Sequence, residues 1–79
     1  MSKFIVYSKE NCNFCTVAKQ LLKKKGLDFE EKVLDTDYAR EDAIEITQKQ
    51  PSEITFPIIV IDGEYIGGAK ELHAYFKNQ

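Results

Sequence analysis

Cys12 and Cys15 are the residues whose type and spacing point most directly to chemistry. They stand in Cys12-Asn13-Phe14-Cys15, two thiols separated by two residues. At i and i+3 of a helix such side chains share a face, with Cβ atoms about 5–6 Å apart. A disulfide needs about 3.5–4.5 Å, so a small local adjustment closes it. The loop closed is tiny, and the bond therefore constrains the unfolded chain little. That suits a disulfide meant to cycle. In the first turn of a helix, Cys12 would meet free backbone N–H groups and the positive end of the dipole, with Lys9 just upstream. Both favour the thiolate, which is the nucleophile. Cys15 lies a turn deeper, so Cys12 is expected to attack and Cys15 to resolve. Two other readings use the same residues: paired core cysteines, or zinc ligands. A closed zinc site takes four ligands, and only His73 remains as a soft candidate, itself expected on an exposed face of the last helix. No metal site is expected from one chain.

The elements that must position the thiols are legible on either side. Phe4 to Tyr7 is a short apolar, β-branched and aromatic run, a strand bounded by Ser8-Lys9-Glu10-Asn11. Phe14, Val17, Ala18, Leu21 and Leu22 then recur at helical spacing. Asn11 is the expected N-cap, and Lys23, Lys24 and Lys25 before Gly26 mark the C-terminal end. Phe29, Glu31 and Val33 alternate with polar residues as a half-buried strand. Strand, helix and strand make a right-handed βαβ unit. A second helix is expected over Tyr38 to Lys49, capped by Asp35, Thr36 or Asp37 and ended by Pro51. Ile58 to Ile61 reads as a strand buried on both faces. Asp62-Gly63 is a two-residue hairpin signal, and Glu64-Tyr65-Ile66 returns antiparallel. Gly67-Gly68 precedes a last helix with Ala69, Leu72, Tyr75 and Phe76 on one side. The order βαβ, α, ββ, α implies an α/β fold, a four-stranded mixed sheet flanked by three helices.

Composition sets the outer bounds. The chain has 79 residues, 43% hydrophobic and 30% charged, which reads as one globular domain over 1–79. A domain of this size buries only about 60% of the surface its unfolded chain exposes. The net charge of −2 argues against nucleic-acid binding through a basic surface. No apolar run approaches the roughly 20 residues of a membrane span, and the N-terminal stretch is too short for the apolar core of a secretion signal. A cytoplasmic protein with no membrane partner is expected.

With these elements in place, the chain resembles the glutaredoxins, small members of the thioredoxin-like superfamily. The resemblance runs from Lys3 to Lys77. It is carried by Phe4-Ile5-Val6-Tyr7, Lys9-Glu10-Asn11-Cys12-Asn13-Phe14-Cys15, Ala18-Lys19, Thr55-Phe56-Pro57 and Ile66-Gly67-Gly68. Thioredoxin proper is a poorer match: its tryptophan before the first cysteine and its Cys-Gly-Pro-Cys motif are missing. The resemblance implies a thioredoxin-like fold and an oxidoreductase that uses glutathione as co-substrate, reducing protein disulfides and glutathione mixed disulfides. It implies a cis Pro57, and a backbone at Phe56 free to pair with an extended thiol substrate. Lys9 would contact the glycine carboxylate of glutathione. The N–H groups of Ala69 and Lys70, after Gly68, would hold the γ-glutamyl carboxylate, and Glu71 would accept from the ammonium. Phe14, Thr55 and Pro57 complete the expected site, with Lys49 or Gln48 as an assisting residue.

The departures from the family pattern are specific. Asn13 and Phe14 replace the proline and tyrosine of Cys-Pro-Tyr-Cys. Phe56 is bulkier than the usual valine. Lys70 stands where an aspartate or serine is common. Two alternatives follow: a redoxin reduced by thioredoxin reductase, or a protein in which Cys12 helps hold a [2Fe–2S] cluster, with Asn13 supplying an N–H to its sulfur. A monomer is expected, with disulfide-containing client proteins, ribonucleotide reductase among them by family analogy.

Overall fold

The computed structural model describes residues 2–77. Strand β1 (Phe4–Ser8) leads through a turn into helix α1 (Asn13–Lys24). Strand β2 (Phe29–Val33), helix α2 (Arg40–Thr47), strand β3 (Ile58–Ile61), strand β4 (Glu64–Gly67) and helix α3 (Ala69–Lys77) follow. The strands lie in the order β2-β1-β3-β4, with β1 parallel to β2 and the other pairings antiparallel. This is the mixed four-stranded sheet of the thioredoxin-like fold.

The buried run Ile58–Ile61 explains why one strand serves both faces of the sheet. Alternate side chains point opposite ways. Ile59 and Ile61 join Phe4, Val6, Ala18, Leu22 and Leu72 beneath α1 and α3. Ile58 and Val60 join Leu34, Tyr38 and Ala43 beneath α2. Asp62 and Gly63 both take positive φ, 52° and 83°, as a tight hairpin requires. Gly26, at φ 72°, turns the chain out of α1.

Several boundaries differ from expectation. Asn11 does not cap α1: it sits at φ 55° in the turn, and Cys12 is the cap. The buried line of α1 is Cys15, Ala18 and Leu22. Phe14 and Val17, part of the apolar spacing that predicts the helix, are 67% and 51% exposed. They lie one residue earlier on the helix, and a rotation of about 100° carries them off the sheet. Helix α2 is shorter than Tyr38 to Lys49. Tyr38 instead forms an isolated bridge with Leu34, and Ala39 is the cap, its N–H donating to Asp42 at 2.9 Å. None of Asp35, Thr36 and Asp37 is the cap of α2. The Asp37 carboxylate accepts from the Val33 N–H at 2.8 Å and closes the connection after β2. Gln48, at φ 57°, ends α2, whereas Pro51 opens a single 3-10 turn, Pro51–Glu53. In β2 the expected inward Glu31 is exposed to solvent at its tip, where it accepts from Lys19 at 2.7 Å and from the Ser8 hydroxyl at 2.9 Å. β2 pairs only with β1, so its faces are less covered than those of β3.

Candidate active site

The register gathers the chemical residues at one end of the sheet. β1 ends there, opposite the start of β3, because Tyr7 pairs with Ile58. β4 ends there too, because Ile59 pairs with Gly67. Three segments therefore emerge side by side: Lys9 to Cys12 after β1, Thr55 to Pro57 before β3, and Gly68 onward after β4.

Cys12 holds an extended conformation, φ −115° and ψ 104°, at the N-cap of α1. There its sulfur accepts a hydrogen bond from the Cys15 N–H at 3.2 Å. A cap residue ordinarily offers an oxygen to this otherwise unpaired group. The sulfur does so here, and a donor aimed at it favours the charged form of a thiol. Cys12 thus lies just before the first turn, and the extended cap brings the cysteines to a Cα separation of 5.3 Å. That lies within the disulfide range, and they are bonded. Cys12 is partly exposed, whereas Cys15 is 2% exposed. An incoming disulfide can reach the first sulfur and not the second.

The Phe56–Pro57 peptide is cis and Pro57 is buried. Among the described residues no backbone partner reaches the Phe56 N–H or C=O. The Lys9 ammonium lies 5.5 Å from the centre of the Phe56 ring, joining the segment upstream of Cys12 to the one before β3. Gly67 and Gly68 are fixed by close approach. A Cβ on Gly67 would strike the Glu71 side chain, and one on Gly68 would come within 3.2 Å of the Pro57 carbonyl oxygen. The Glu71 carboxylate accepts from the Gly68 N–H at 2.7 Å, one half of a capping box that starts α3. The N–H groups of Ala69 and Lys70 are left without a backbone acceptor among the described residues.

A cleft of about 270 Å³ lies between these segments, lined by Phe14, Thr55, Phe56, Gly68, Ala69, Lys70 and Glu71. Its size approaches the lower end of small-molecule sites. Lys9 does not line it: its ammonium lies against the Phe56 ring, and its side chain lines a neighbouring cleft with Glu10, Leu34, Asp35 and Thr36. Pro57 backs the first cleft through Gly68. Gln48 and Lys49 do not line it: the Gln48 amide donates to the Glu45 carbonyl at 2.7 Å, and the Lys49 ammonium lies over Tyr65. The N–H that reaches the Cys12 sulfur belongs to Cys15. That donor and the exposed Val17 were missed from sequence. The N-cap rule applied to Cys12 itself, rather than to Asn11, would have found the first. His73 is exposed, as expected.

Beneath the site the end of β1 is held by a polar seam. The Tyr38 hydroxyl donates to the Ser8 carbonyl at 2.8 Å, and burial, followed by the nearby Tyr7 and Asp35, pushes its pKa well above the usual phenol value. The Lys19 hydrogen bond, partly opposed by burial and helped by Ser8, holds the Glu31 carboxyl below its ordinary pKa.

Residues 4–66 match the glutaredoxin family model. Over 75 residues the chain is 40% identical to glutaredoxin 3 of Escherichia coli K12, covering 94% of this chain and 86% of that protein. Glutaredoxin 1 of Francisella tularensis, solved with cacodylate, superposes with a TM-score of 0.79 at 29% identity, over 99% of this chain and 95% of that one. A buckwheat glutaredoxin solved as a glutathione complex shares the fold, with a TM-score of 0.80 at 22% identity, over 98% of this chain and 70% of that one. With a disulfide-forming Cys-x-x-Cys at the helix start and this match along its length, the chain belongs to the glutaredoxin family of glutathione-using thiol–disulfide oxidoreductases.

Proposed function

We propose that the chain reduces protein disulfides and glutathione mixed disulfides, with Cys12 attacking and Cys15 resolving. In the dithiol route the Cys12 thiolate attacks one sulfur of the client disulfide, and the other leaves as a thiolate. Cys15 then attacks Cys12, closing the Cys12–Cys15 disulfide and releasing the second client thiolate. Two glutathione molecules return the pair to dithiol and leave as oxidised glutathione. In the monothiol route the Cys12 thiolate attacks the glutathionyl sulfur of a mixed disulfide and the client leaves as a thiolate; a free glutathione then attacks that glutathionyl sulfur, releasing the Cys12 thiolate and oxidised glutathione.

The observation that carries this reading is the cleft beside the motif, which joins Phe14 to Thr55, Phe56 and the opening of α3. Unpaired N–H groups at Ala69 and Lys70 suit one carboxylate of glutathione, Lys9 suits the other, and the Phe56 backbone suits the cysteinyl part. Glu71 already accepts from Gly68 through one oxygen, which leaves the second for an ammonium. The reading includes a monomer acting in the cytoplasm, with ribonucleotide reductase among its clients on family analogy.

A [2Fe–2S] role has less behind it. Among the described residues no group of three or more His, Cys, Asp or Glu side chains is placed to hold a metal. The chain would contribute Cys12 alone, and the remaining ligands would have to come from a second copy and from glutathione.

The deciding experiment supplies electrons from one source at a time, either glutathione with its reductase or thioredoxin reductase. Turnover is expected with glutathione. Turnover with thioredoxin reductase alone would assign the chain to the alternative redoxin reading. In the same assay Lys9→Ala is expected to raise the KM for glutathione about two- to fivefold, the worth of an exposed charge pair. Its folding stability should move by less than about 0.5 kcal/mol.

A further inference from the structure

Lys70 breaks a local rule without a visible structural return. It lies in the first turn of α3, where the helix dipole favours an acidic residue and disfavours a lysine. It is exposed, and among the described residues its ammonium makes no hydrogen bond or ion pair. It nevertheless lines the cleft beside Phe14 and Phe56. The carboxylate in that lining belongs to Glu71, already turned onto the Gly68 N–H. In a chain of net charge −2, this rim presents a cation that makes no ion pair among the described residues, next to exposed apolar surface. Phe14, and Val17 one turn along, are large apolar side chains left open to solvent on α1. A position that violates local preference beside a reactive group is where a functional constraint is expected.

We propose that Lys70 is a specificity-determining residue for protein clients: it selects extended segments whose reactive cysteine is flanked by an acidic residue, with an apolar neighbour resting on Phe14. The proposal rests on the oxidoreductase reading above, and it concerns the dithiol route. There the client segment, rather than glutathione, occupies the cleft when Cys12 attacks. The client's acidic side chain then meets the Lys70 ammonium, a pairing that raises kcat/KM without altering the chemistry of the sulfurs.

The test is single-turnover reduction of synthetic disulfide peptides by the pre-reduced protein, with no glutathione present. The peptides differ only in carrying Asp or Lys beside the reactive cysteine. The parent is expected to favour the Asp peptide about two- to fivefold at low salt, and less as salt screens the pair. Lys70→Ala should bring the ratio towards one, and Lys70→Glu should invert it. Lys70→Glu suits the first turn of α3, so folding is not the obstacle. Lys24→Glu, far along α1, carries the same change of net charge and should leave the ratio as in the parent. Equal rates for both peptides, or a ratio moved as much by Lys24→Glu as by Lys70→Glu, would overturn the proposal while leaving the oxidoreductase reading intact. Reduction of neither peptide would overturn both.

Discussion

The rim at the end of the sheet and the interior of the sheet are built on opposite terms. In the interior, Val6, Leu22, Ile58, Ile59 and Leu72 are fully buried, and their neighbours are almost wholly apolar. At the rim, the N–H groups of Ala69 and Lys70 lack a backbone acceptor among the described residues, Phe14 stands in solvent, and the sulfur of Cys12 does the work of a cap. The interior fixes where three segments emerge. The rim leaves what emerges available for bonds to something else. A residue should therefore matter either to stability or to exchange chemistry, and seldom equally to both.

The largest effect tests the rim. Cys12→Ser should abolish both activities, because no second thiol is exposed, while the folded protein persists. Cys15→Ser should keep deglutathionylation, which needs one protein thiol and free glutathione, and impair reduction of protein disulfides. Mixed-disulfide turnover measured in each variant separates the roles. Loss of deglutathionylation in Cys15→Ser would end the monothiol route.

The interior gives the converse. Leu22→Ala should cost about 2–5 kcal/mol in denaturant unfolding, a large share of what so small a domain possesses. Below the transition, the alkylation rate of Cys12 should stay near that of the parent.

Glu71→Ala lies on the border. Losing its bond to the Gly68 N–H should cost about 1 kcal/mol. It should also raise the KM for glutathione more than it lowers kcat, measured by steady-state kinetics. A change in stability alone would leave Glu71 as a cap and nothing else.

The smallest effect lies under the rim. Glu31 has a folded pKa below its ordinary 4.5. Its contribution is therefore fully present above that value and is lost as pH falls through the folded pKa. The ion pair with Lys19 is about a third exposed, so Glu31→Gln should cost less than about 1 kcal/mol at neutral pH. The gap between parent and variant should close as the solution is acidified, which thermal melts across pH 3 to 7 would follow.

Much of the interior was legible in the sequence because its signals are local. Ile58 to Ile61 is an uninterrupted apolar run, Asp62-Gly63 accepts positive φ, and Gly26 closes a helix after three lysines. The Cys-x-x-Cys motif was equally plain. What failed depended on tertiary choice. The helical spacing of Phe14 and Val17 is the same whether the sheet covers them or the next residue along. The acidic run after β2 offered three caps, but Asp37 bonds to Val33 and Tyr38 is taken into the core, so α2 starts later. The cleft itself joins residues more than 50 positions apart, and only the family resemblance could assemble it from sequence.

The sulfur of Cys12 accepts a hydrogen bond from an amide that belongs to its own redox partner. That amide therefore doubles as a built-in gauge of the cysteine's state. A thiolate, a thiol and a disulfide sulfur pull on the Cys15 proton to different degrees. Its NMR frequency and its exchange with solvent deuterium should register each step of the cycle without any added label.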